Sequence, residues 1–103
     1  MNNLAYTATT ASGTQLEFEF PLHTLTASKS DVATLLTEVL AALDGTITAS
    51  GQVSDGDVLQ ALAMALAVRT RMLEATSGSV HRLAAELVGT ALSAPAQTRS
   101  ARH

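Results

Sequence analysis

The chain contains no cysteine and no tryptophan, and aromatic residues make up only 3% of it. Without cysteine, disulfides, thiolate metal sites and cysteine nucleophiles are excluded. Charge is also scarce, at 15% of residues against about 25% in an average soluble domain. Apolar residues stand at an ordinary 47%. The missing charge is replaced by Thr, Ser and Ala, giving a weakly charged surface that association would partly hide.

Basic charge is the scarcest. Six Lys and Arg face nine Asp and Glu, a net charge of -3. Arg99 and Arg102 lie in the last five positions, so the remainder carries four basic and nine acidic residues, net -5. A nucleic-acid binder presents a basic face, so nucleic acid is disfavoured as a partner. The opening MNNLAYTATT lacks the basic and apolar regions of a secretory signal. The longest nearly unbroken apolar run, Val58 to Val68, falls short of the roughly 20 residues of a bilayer span. The expectation is a cytoplasmic protein with no membrane partner. The alanine-rich, lysine-poor composition suggests a GC-rich bacterial genome.

At 103 residues the length fits one domain. Residues 4–10, LAYTATT, alternate loosely, and Ser12-Gly13 signals a turn. In QLEFEF, residues 15–20, Leu16, Phe18 and Phe20 face one way and Gln15, Glu17 and Glu19 the other. This period of two predicts a half-buried strand, hence an N-terminal β-hairpin. Pro21 marks a strand end or edge, and Leu22 and Leu25 are expected to continue as a docked extended segment.

Ser28 or Ser30 can cap a first helix, with Asp31 at the positive end of its dipole. Val32, Leu35, Leu36, Val39, Leu40 and Leu43 form one apolar stripe. Asp44-Gly45 is expected to end it. Residues 46–53, TITASGQV, are open between a short third strand and an ordered loop. Ser54 and Asp57 form a capping-box pattern opening a second helix, which runs over 57–75. Gly78 breaks the chain again, and Ser79 is the expected cap of a third helix. That helix is striped by Val80, Leu83, Ala84, Leu87, Val88, Ala91 and Leu92 and is stopped by Pro95. Arg82 with Glu86 and Arg71 with Glu74 are spaced as surface pairs. Residues 96–103 are expected to form a disordered polar tail after a single compact domain over 1–95. Strands first and helices afterwards predict an α+β fold: a hairpin packed with three helices, the second of them central.

That second helix is unusual. From Val58 to Val68 only Gln60 is polar. A helix apolar all round must be covered all round, either by the rest of the chain or by a second copy or another protein. Met64, Leu66 and Met72 are the candidate partner-binding residues, methionine being adaptable at interfaces.

Other chemistry is poorly represented. His23, His81 and His103 have no helical ligand spacing. Asp44-Gly45 and Asp55-Gly56-Asp57 fail the calcium-loop pattern, which needs a final Glu. No P-loop, GxGxxG or GxSxG occurs, and the serines sit at caps and turns. No catalytic residue, cofactor or metal is assigned, and an enzyme is not expected. A helix-turn-helix built on Arg69, Arg71 and Arg82 would have little but His81 and Arg82 to reach bases. The expected function is a protein–protein interaction or assembly module, homodimeric or engaging a protein partner. The alternative is a binder of a small apolar ligand between the helices and the hairpin.

Overall fold

The computed structural model describes residues 3–10, 12–24, 26–73 and 77–100. The fold is α+β. In chain order it has strands β1 (Asn3–Thr9) and β2 (Thr14–Pro21), helices α1 (Lys29–Ser50), α2 (Asp55–Met72) and α3 (Ser77–Leu92), and strand β3 (Ala96–Ser100). The chain divides into two units, Met1–Thr34 with Leu87–His103, and Leu35–Glu86.

The first unit contains an antiparallel sheet of order β1-β2-β3. The hairpin forms where period two requires it. Leu4 pairs with Phe20, Tyr6 with Phe18 and Ala8 with Leu16, so one face is apolar. The other carries Ala5, Thr7, Glu17 and Glu19. Gly13 turns the chain at φ 91, and its N–H donates to the Thr10 carbonyl (3.0 Å) while the Thr10 N–H donates to Thr14 (2.8 Å). The Phe18 and Phe20 rings stack at 5.0 Å. Leu4 is the buried core residue among those described, 6% exposed.

Two expectations change here. A third strand exists, but it comes from Ala96–Ser100, not from 46–53. Of the 96–103 segment expected to be a disordered tail, Ala96–Ser100 therefore form the strand that covers one side of β2, and 101–103 lie outside the described residues. Its entry is fixed by Pro95, whose carbonyl accepts the Glu19 N–H at 3.1 Å. Pro95 does stop α3, as expected, and then begins the pairing. Pro21 lies at the end of β2, where a missing N–H costs least.

Ser28 caps α1: its side chain accepts the Asp31 N–H at 3.2 Å and its carbonyl the Val32 N–H at 3.1 Å. The helix passes through Gly45 and continues to Ser50. Ile47 explains the extension, because it prolongs the half-buried line Leu36, Leu40, Leu43 by one turn. The stop is supplied by Gly51, at φ 75, whose N–H donates to the Ile47 carbonyl (2.9 Å), an αL ending that favours glycine. Residues 46–50 are thus helical. The third helix starts at Ser77, two residues before the expected cap at Ser79, so Gly78 falls in its first turn. Leu25, Glu74 and the C-terminal end of the expected second helix lie outside the described residues, as does His103.

Candidate interaction surface

Helix α2 begins as its sequence specifies. Ser54 is the N-cap, with φ -82 and ψ 160. Its hydroxyl accepts the Asp57 N–H (3.1 Å) and the Asp57 carboxylate accepts the Ser54 N–H (3.3 Å). Asp55 and Asp57 occupy the first turn, and Arg69 and Arg71 the last. Both placements complement the helix dipole. Thr70 donates back to the Leu66 carbonyl at 2.7 Å, and the helix ends at Leu73, whose extended backbone donates to Thr70 (3.3 Å).

No α2 side chain is buried. Val58, Leu62 and Thr70 are half-buried. The other large apolar residues face outward: Leu59 is 67% exposed, Met64 57%, Val68 59% and Met72 59%. The three residues singled out by composition do not share one line. Met64 and Met72, eight apart, are joined by Val68 at i+4 into a single row along the helix. Leu66, 42% exposed, belongs to a different row with Leu59. Val68 does not stand out by side-chain type, and its place in the row follows from its spacing of four from each methionine. The Met64–Val68–Met72 row ends beside Arg69, whose guanidinium donates to the Met72 Sδ at 3.8 Å.

The neighbouring helices repeat the pattern. On α1, Leu35 and Val39 of the expected stripe are exposed while Val32, Leu36, Leu40, Leu43 and Ile47 are half-buried. On α3, Val80, Leu83 and Ala84 are half-buried, but Leu87, Val88 and Leu92 are exposed. The helices make no close backbone pairing with one another among the described residues. Helix α1 is also long and apolar enough, by length and composition, to cross a bilayer, with a mean hydropathy of 1.4 over its most apolar stretch. Glu38 and Asp44 stand inside α1, and each acidic residue near a bilayer centre costs roughly 2.5–3.5 kcal/mol.

Other candidate sites are thinner. His23 is half-buried after β2, and His81 is exposed on α3. No cluster of three or more His, Cys, Asp or Glu suited to a metal occurs among the described residues. A depression of about 290 Å³ lies against the strands, lined by residues including Thr7, Glu17, Glu19, Pro95 and Gln97. No family model, curated protein or solved structure matches the chain.

Proposed function

We propose that this protein is a small assembly module that acts as a homodimer, with the apolar rows of its helices as the associating surface. The observation that carries this reading is α2, an 18-residue helix with no buried side chain and a continuous exposed row through Met64, Val68 and Met72. Leaving such a row in water forgoes roughly 25 cal/mol per Å2 of apolar area. Symmetry favours a second copy as occupant, because a two-fold dimer needs only one self-complementary patch. The scarcity of charge removes the usual obstacle to it.

Sedimentation velocity across a micromolar concentration series tests the reading. A dimer is expected throughout. Met64→Glu with Met72→Glu places two charges in the row and is expected to weaken the dimer at least tenfold. A wild-type monomer at high micromolar concentration overturns the proposal, and so does flotation of the chain with lipid vesicles in place of self-association.

A further inference from the structure

The sheet has two outer strands, and they are built differently. β3 has five residues, follows Pro95 and includes Arg99. Short length, proline and charge are the usual means of blunting a sheet edge. β1 has seven residues, NLAYTAT, with no charge, no proline and no glycine. Nothing in its sequence blunts it.

The direction of its backbone groups follows from the pairing. In an antiparallel ladder each residue turns its N–H and C=O to the same side. The Thr10 N–H donates to Thr14 across the hairpin, so Ala8, Tyr6 and Leu4 also point at β2. Asn3, Ala5, Thr7 and Thr9 therefore aim their backbone groups outward. All four are exposed.

This outward row is self-complementary. Turning a second β1 about a two-fold axis through Tyr6 overlaps the whole of Asn3–Thr9. Asn3 then meets Thr9 and Ala5 meets Thr7, each exchanging backbone hydrogen bonds. Tyr6 meets its own mate at a non-hydrogen-bonded position. Leu4 meets Ala8, so the apolar face made with Leu16, Phe18 and Phe20 continues unbroken into the second sheet. A shift of one residue would set apolar against polar positions and lose that continuity. No like charges meet, because the strand has none.

We propose that β1 of one chain pairs antiparallel with β1 of a second copy, joining two three-stranded sheets into one. The proposal rests on the self-association reading and adds the outer edge of the sheet to the contact between the two copies. A chain without cysteine allows a clean test. Opposed residues at a non-hydrogen-bonded position have Cα atoms about 4.5 Å apart, within the range a disulfide spans. Tyr6→Cys is expected to give a disulfide-linked dimer on a non-reducing gel under mild oxidation, whereas Thr98→Cys on β3 stays uncrosslinked. Ala5→Pro removes only an outward donor, which an edge strand tolerates. It is expected to leave the circular dichroism spectrum unchanged and weaken the dimer at least tenfold by sedimentation. If Tyr6→Cys fails to fold, Ala5→Pro decides alone. An Ala5→Pro protein that folds and dimerises like wild type overturns the strand pairing and leaves self-association standing. A wild-type monomer overturns both.

Discussion

Gly45 and Gly51 differ by six positions and have opposite roles. Gly45 sits in mid-helix, and a Cβ added there meets nothing within 4 Å; the same holds for Gly89 in α3. Each raises the chain entropy lost on folding without supplying a needed conformation. Gly45→Ala and Gly89→Ala are each expected to add about 0.5–1 kcal/mol of stability, read as a higher midpoint in urea. Gly51 occupies φ 75, where an L side chain costs roughly 1–2 kcal/mol. Gly51→Ala should lower the midpoint although its Cβ also has open space. Ser54 is the other residue with a defined local task. Ser54→Ala removes the acceptor for the Asp57 N–H and should cost about 1 kcal/mol in the same assay.

Elements were legible where their cause was local. The hairpin follows from alternation in QLEFEF, and the start of α2 from Ser54 and Asp57, three residues apart. The end of α1 was harder, because glycine at 45 and at 51 offers two stops of the same chemistry. Ile47 decides between them by prolonging the apolar line. β3 was not legible at all. AQTRS has neither alternation nor apolar content, and its strand state comes from the Gln15–Glu19 side of β2, some eighty residues away. Ending the chain after Pro95 would strip that side of β2. The truncated protein is expected to melt at lower temperature and to aggregate more readily by light scattering, since a second bare edge is created. Of the candidate surface, the apolar character of α2 was visible in composition. Its organisation was not used: spacing by four unites Met64, Val68 and Met72, and sets Leu66 apart.

For the molecule as a whole, stability and association become one quantity if the exposed helical rows are an interface. Mass action then makes the melting temperature depend on protein concentration. Raising it a hundredfold should raise the midpoint of thermal unfolding measurably in calorimetry; a midpoint independent of concentration would separate folding from assembly. The sheet carries a further consequence, concerning time. Its middle strand is made before one of its flanking strands, with all three helices between them. The hairpin must emerge from the ribosome with one side of β2 unsatisfied and wait for Ala96–Ser100 before that side is closed. Pairing across so long a stretch of chain is slow compared with forming local helices. The interval between making β2 and completing β3 is therefore when a nascent copy is most open to the wrong strand, including one from a neighbouring copy on the same message.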